Sequence, residues 1–270
     1  MKLCVIGNSH AGMLVHASRA AVPDGLDLTF FARQGRGPEG ARIRGTELRA
    51  VRRDLRKNLA KLGMPEAVNL PDFDAFVIVA MSATMFSLGP MLSGHSVFSW
   101  DSTQRELEKP DRLNGRPLVS EAALLAALRA EIEDNLAYSM IGRLRKVSAA
   151  PVLIVPQPYP SAEVLDQTDR FKMFRQIQRR NDGADAARVL RSAHEQVFGA
   201  LANVQVLTQP DTTVAHGFLT DADFTRGAGR LNADGRQNET DILHANAQYG
   251  GLVLDQIAQN LAPRIRNPHH

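Results

Sequence analysis

The sequence predicts an α/β protein in which helices cover both faces of a parallel sheet. Five short apolar runs predict the strands, at 2–6, 26–31, 75–79, 151–155 and 204–207. These runs are continuous rather than alternating, as is typical of parallel strands that are buried on both faces. Segments with apolar residues at helical spacing separate them. Strands that alternate with helices indicate a doubly wound sheet of five strands between helices.

Three apolar patterns predict the main helices. The first follows Ser9 and carries Met13, Leu14 and Ala17 at helical spacing. The other two are longer stripes, which predict helices that cover the sheet. Their members are Leu48, Val51, Leu55, Leu59 and Leu62 in one stripe and Leu124, Leu128, Ile132, Leu136, Met140 and Leu144 in the other.

The chain is expected to form a single domain over residues 1–270. A chain of 270 residues can bury one sizeable core, and the alternating pattern runs on without a linker. Two stretches, near 161–180 and 215–240, are predicted to be insertions into a minimal five-stranded unit. Because long irregular segments in compact domains are usually functional or disordered, we expect both insertions to form a wall beside the substrate.

Composition excludes several classes of function. The net charge of +3 is too small and too scattered to indicate a nucleic-acid partner. The single cysteine, Cys4, excludes an intramolecular disulfide and lies in an apolar strand, where packing is its expected role. No secretory signal or membrane span is apparent, which favours a cytoplasmic protein. The histidines lack metal-ligand spacing, so neither a metal nor a cofactor is expected.

Ser9 lies where a catalytic nucleophile could be activated. It follows the first strand and opens a predicted helix, where free backbone N–H groups suit a developing oxyanion. A serine hydroxyl needs a base, and the base needs a group that orients it. Asp241 and His244 could supply both, since residues three apart share one side of a helical backbone. The structural alternative is that Ser9 only caps the first helix.

These motifs resemble those of the SGNH hydrolases, the GDSL-type esterases and lipases. That family has Gly-Asp-Ser in its first block and Asp-x-x-His in its last, and this chain has Gly7-Asn8-Ser9 and Asp241-Ile242-Leu243-His244. Asn246 and Gly250 look like the family's continuation into a terminal helix. The resemblance spans nearly the whole chain. It implies a flavodoxin-like three-layer sandwich with Ser9, His244 and Asp241 as a catalytic triad.

The two middle blocks of the family match less closely. The best-placed glycine for the second block, which supplies an oxyanion N–H, is Gly45. In the third block, Ser82 stands where the family has an asparagine that donates to the oxyanion. His10 is interpreted as a pocket or polar-network residue. The arginines near Gly45 favour the solvated face of an amphipathic helix, and the alternative is that Arg44, beside Gly45, binds an anionic substrate.

The expected function is hydrolysis of an acyl ester, most plausibly a short O-acyl group such as acetyl on a carbohydrate or small metabolite. One alternative is an O-acyltransferase, in which a sugar hydroxyl instead of water resolves the acyl-enzyme. A second is a catalytically weak protein that binds a glycan or metabolite, consistent with the departure at Ser82. A nucleotide site is disfavoured, because the Gly-x-x-x-x-Gly run from Gly7 to Gly12 lacks the lysine and serine or threonine of a P-loop.

Overall fold

A computed structural model describes residues 1–109, 115–167, 170–232 and 235–265. Its strands are β1 (Lys2–Gly7), β2 (Asp27–Ala32), β3 (Ala41–Arg44), β4 (Glu47–Ala50), β5 (Ala67–Asn69), β6 (Ala75–Val79), β7 (Ser96–Val97), β8 (Leu118–Val119), β9 (Val152–Val155), β10 (Val204–Val206), β11 (Val214–Ala215) and β12 (Leu219–Thr220). Its α-helices are α1 (Gly12–Ala20), α2 (Arg53–Lys61), α3 (Met85–Gly94), α4 (Asp101–Leu107), α5 (Glu121–Asp134), α6 (Leu136–Leu144), α7 (Lys172–Arg180), α8 (Gly183–Gly199) and α9 (Ala247–Ile265).

The central sheet contains the five predicted strands and no others among the described residues. Its order is β10-β9-β6-β1-β2, and every neighbouring pair is parallel. The prediction of a five-stranded parallel sheet is therefore confirmed. The chain leaves β1 for β2 on one side and then returns to the other side with β6. Ligands of such sheets bind at the carboxyl ends of the strands where the order reverses, here between β1 and β6.

Helices cover both faces of this sheet and give a three-layer α/β fold. Side chains of β1 alternate between two apolar cores: Leu3 and Val5 belong to the core with α1 and α9, whereas Cys4 and Ile6 belong to the core with α5, α6 and α8. This alternation explains why the strand reads as a continuous apolar run, because both of its faces are buried. No helix in the described part of the chain is long and apolar enough to cross a membrane.

Two helix predictions differ from the structure. The stripe that begins at Leu48 is not one helix, because Leu48 lies in β4 and α2 begins only at Arg53. In β4 buried Leu48 and Ala50 alternate with exposed Arg49, which is strand periodicity. The stripe from Leu124 to Leu144 forms two helices. They are separated at Asn135, whose extended backbone and side-chain bond to the Glu131 carbonyl interrupt the helix.

The described parts of the two expected insertions pack together. The stretch 161–180 contains a 3₁₀ turn (Ala162–Leu165) and α7, and 215–240 contains β12 and a second 3₁₀ turn (Ala222–Phe224). The Ser161 hydroxyl bonds to that of Thr225, and the rings of Phe174 and Phe218 lie 6.5 Å apart. The Ser161 N–H also donates to the Ile242 carbonyl, inside the Asp241 to His244 segment. The insertions therefore support the segment that carries His244.

Candidate functional site

The turn after β1 presents Ser9 at the carboxyl edge of the sheet. Ser9 opens a short 3₁₀ turn (Ser9–Ala11) whose N-cap is Asn8, and the Asn8 side chain accepts from the His10 N–H. The N–H of Ser9 has no hydrogen-bond partner among the described residues. Gly7 is needed for space, because a Cβ there would lie 2.9 Å from the Cβ of Val79. Ser9 is thus partly exposed, with its N–H free to bind an anion.

Asp241 organises the turn that carries His244. The segment is not helical, in contrast to the backbone we assumed from the spacing. Instead, Oδ1 of Asp241 accepts from the N–H groups of Leu243 and His244 at 2.6 and 3.0 Å. Such turns are a usual role of aspartate, since its short side chain reaches the backbone two and three residues later. The carboxylate therefore fixes the backbone of the residue whose ring it also contacts.

Ser9, His244 and Asp241 form a continuous hydrogen-bonded chain. The Ser9 Oγ lies 3.0 Å from His244 Nε2, and His244 Nδ1 lies 2.9 Å from Asp241 Oδ2. Burial by itself would raise the pKa of Asp241. Hydrogen bonds from the His244 ring and from two backbone N–H groups outweigh burial and hold that pKa below its usual value. Asp241 is therefore ionised at neutral pH and can orient the imidazole.

His10 stacks on the His244 ring. The two ring centroids are 4.7 Å apart and the rings are nearly parallel. Burial, followed by the proximity of His244, lowers the pKa of His10 to about 3, so its ring is neutral at neutral pH. Nδ1 of His10 is buried and has no hydrogen-bond partner among the described residues. His10 thus limits the movement of the His244 ring without adding a charge beside it.

A second serine–histidine pair lies at the end of the neighbouring strand. Ser82 Oγ is 3.2 Å from Nε2 of His194 on α8. Burial lowers the pKa of His194 to about 4, against the opposing effect of hydrogen bonds to the Leu190 and Ala83 backbones. The sequence placed Ser82 at this strand end but gave no sign of its partner. The hydroxyl that we considered as an oxyanion donor is engaged by this histidine.

The backbone after β6 is strained beside the Ser9 turn. Ala80 and Met81 are both buried and both have left-handed φ angles, 56° and 60°. Such angles cost about 1–2 kcal/mol for a residue with a Cβ. Two hydrogen bonds hold this conformation: Ala80 N–H donates to the Val155 carbonyl and Ala137 N–H donates to the Met81 carbonyl. Strain of this kind accumulates where a fold must aim backbone or side chains into a site.

Gly37 lies against this strained segment and the Ser9 turn. A Cβ at Gly37 would lie 2.5 Å from the sulfur of Met81 and 3.6 Å from the Cβ of Asn8, and its φ is +83°. No N–H partner of Gly37 is found among the described residues. Sequence reasoning missed this glycine. The available signal was its loop, Gly35-Arg36-Gly37-Pro38, which begins four residues after the end of the second predicted strand.

Gly45 and Arg44 lie on the hairpin that joins β3 to β4. Both are exposed, and nothing lies within 4 Å of a Cβ built on Gly45. Arg44 makes no hydrogen bond or ion pair with the triad residues within the described chain. The structure thus brings Ser9, His10, Asp241 and His244 together, and it places Gly37, rather than Gly45, against the residue that precedes the serine.

Comparisons with known proteins add no family assignment. No protein-family model matches the chain, and no curated protein matches it significantly in sequence. Within the residues that the structure describes, no group of three or more His, Cys, Asp or Glu side chains is arranged to hold a metal ion. The fold and the site therefore have to be interpreted from their own geometry.

Proposed function

We propose that this protein is a serine acyl hydrolase of the SGNH type, which cleaves a short acyl ester such as an O-acetyl group on a carbohydrate or small metabolite. The hydrogen-bonded chain Ser9–His244–Asp241 is the observation that carries the proposal. Ser9 lies more than 230 positions before Asp241 and His244, yet the three side chains meet with the spacing and order that activation of a serine requires. Ser9 also lies where ligands of a doubly wound sheet bind.

In the proposed reaction, Ser9 Oγ attacks the acyl carbonyl while its proton passes to His244 Nε2. His244 Nδ1–H donates to Asp241, which stabilises the imidazolium that forms. The imidazolium then protonates the leaving alcohol, and an acyl-Ser9 ester remains. Water, deprotonated by the same histidine, attacks this ester, and the carboxylic acid and free Ser9 result.

The oxyanion formed in both steps needs donors that are already in place. The free N–H of Ser9 is the first, and the N–H of Gly37 is our candidate for the second. Donors on the backbone suit this role because they do not have to reorganise during the reaction. Strain at Ala80 and Met81 fits the same scheme, because the Met81 side chain packs on Gly37.

The alternative nucleophile is Ser82, which also has a histidine partner. His194 is a poor base at neutral pH, because burial lowers its pKa to about 4. Its ring also lacks a carboxylate partner among the described residues, whereas His244 has Asp241. Both differences favour Ser9.

Covalent labelling tests the assignment of the nucleophile. The protein is incubated with a fluorophosphonate, its intact mass is measured, and the modified peptide is identified. We expect one adduct, on Ser9. Ser9→Ala should abolish both the adduct and hydrolysis of p-nitrophenyl acetate, since loss of a triad residue typically costs thousands-fold or more in rate.

Ser82→Ala is the matched control, because it removes the other serine that has a histidine partner. This variant should label at the wild-type rate. An adduct on Ser82, or more than about a tenth of the esterase activity in a folded Ser9→Ala protein, would contradict the proposal.

A further inference from the structure

A cavity of about 490 Å³ lies beyond the carboxyl ends of β9 and β10, between α8 and α9. Val155 and Leu207 form its floor, Ala187 and His194 line it from α8, and Gln256 lines it from α9. Its volume is in the range of small-molecule binding sites. None of the triad residues lines it, so the proposed chemistry at Ser9 does not account for it.

The lining is rich in uncharged hydrogen-bonding groups. Gln157, Tyr159, Thr208, Tyr249 and Gln256 all contribute to the wall. Amide and hydroxyl groups on a cavity wall can both donate and accept hydrogen bonds, so they suit a ligand that carries hydroxyl groups. This chemistry disfavours an acyl chain, which would leave such groups unpaired.

Charges around the cavity are largely balanced. Arg188 is held by both carboxylate oxygens of Glu121 at 2.7 Å and by Asp185 at 2.9 Å. The other cation on the wall, Arg191, lies 4.0 Å from the carboxylate of Glu195. His194 is neutral at neutral pH because burial lowers its pKa to about 4. Both arginines on the wall therefore have acidic partners, which disfavours the cavity as an anion site.

One side chain connects the cavity with the end of the neighbouring strand. His194 lines the cavity and bonds to Ser82, which follows β6. A ligand in the cavity would thus lie beside the Ser82–His194 pair, at the same edge of the sheet as Ser9.

We propose that this cavity binds an uncharged, hydroxyl-rich ligand, such as a single sugar unit or a polyol, beside the serine site. The site is distinct from the triad, and binding to it does not require chemistry at Ser9. Tyrosine hydroxyls and amide groups on the wall suit a sugar or polyol, because they can pair with its hydroxyl groups.

Equilibrium binding to the Ser9→Ala protein tests this proposal without turnover. N-acetylglucosamine and glucose are the neutral probes, and glucuronate and hexanoate are the anionic and apolar comparisons. Binding is measured by ligand-observed NMR and calorimetry. We expect a neutral sugar to bind more tightly than either comparison compound.

Variants then locate the binding. Gln256→Leu removes the buried amide and should weaken binding of the neutral sugar about tenfold. Ala187→Phe should fill the space and abolish binding. Gln259→Leu is the matched control, because Gln259 is an exposed glutamine on the same helix and lies outside the cavity lining. It should bind like the parent protein.

Three results would overturn the proposal. They are absence of binding by both neutral sugars, tighter binding of hexanoate or glucuronate, and binding that folded Gln256→Leu and Ala187→Phe proteins leave unchanged. Melting curves establish whether each variant is folded. If the Ala187→Phe protein is unfolded, the binding measured with Gln256→Leu decides the outcome. Labelling of Ser9 by the fluorophosphonate is measured separately, so failure of the cavity and failure of the hydrolase proposal are distinguishable.

Discussion

Mild acid should destabilise this protein through two histidines beside the site. In the folded chain, burial lowers the pKa of His10 to about 3 and that of His194 to about 4, from an ordinary value of 6.5. The unfolded chain therefore binds more protons than the folded chain below pH 6.5. The stability that depends on neutral His10 and His194 is fully present above pH 6.5 and is lost as the pH falls toward their folded values.

The expected magnitude follows from these pKa values. Between pH 7 and pH 5.5, protonation of one such histidine in the unfolded chain lowers the free energy of unfolding by about 1 kcal/mol, so the pair accounts for about 2 kcal/mol. Carboxyl groups ordinarily titrate below this range, so histidines dominate the change. For a domain whose total stability is about 5–15 kcal/mol, this loss is readily measured.

Urea unfolding at pH 7 and pH 5.5, followed by circular dichroism, measures the effect. His194→Gln should reduce the loss to about 1 kcal/mol, since one buried histidine remains. His95→Gln is the control, because it removes an exposed histidine. If wild-type stability changes by less than about 0.5 kcal/mol over this range, or if His194→Gln keeps the full loss, then the two rings are not buried and neutral as described.

Three further predictions concern the proposed catalytic groups and use initial rates of p-nitrophenyl acetate hydrolysis. Asp241→Asn should lower kcat by about 10⁴ in a folded protein, because the imidazole loses its orienting carboxylate; a near-wild-type kcat would remove Asp241 from the triad. Gly37→Ala should lower both kcat and melting temperature, because its Cβ would clash with a side chain, whereas Gly45→Ala should cost only about 1–2 kcal/mol of stability and leave kcat unchanged. The reverse pattern would return the oxyanion role to Gly45. Ser82→Ala should keep kcat within about threefold, since the hydroxyl is engaged by a histidine, and a loss of about a hundredfold would instead identify it as an oxyanion donor.

Local sequence patterns predicted the strands of the central sheet with an error of at most one residue at either end. Such strands can be predicted from sequence because burial on both faces requires an uninterrupted run of apolar residues. The prediction of one helix from Leu48 to Leu62 was wrong because its apolar spacing is ambiguous. Leu48, Leu55 and Leu59 all face one core, and apolar spacing over so short a stretch cannot distinguish a strand followed by a helix from one helix.

The sequence by itself determined the kind of fold and the chemical types at the site: an α/β sheet, a serine after its first strand and an aspartate three residues before a histidine. Only the tertiary structure decided which of these side chains contact each other. It brought Ser9 to 3.0 Å from His244, paired Ser82 with His194 and set Gly37 instead of Gly45 beside Asn8. The reason is physical: periodicity and turn chemistry act over a few residues and are written in local sequence, whereas contacts between distant residues depend on how the helices and loops pack around the sheet.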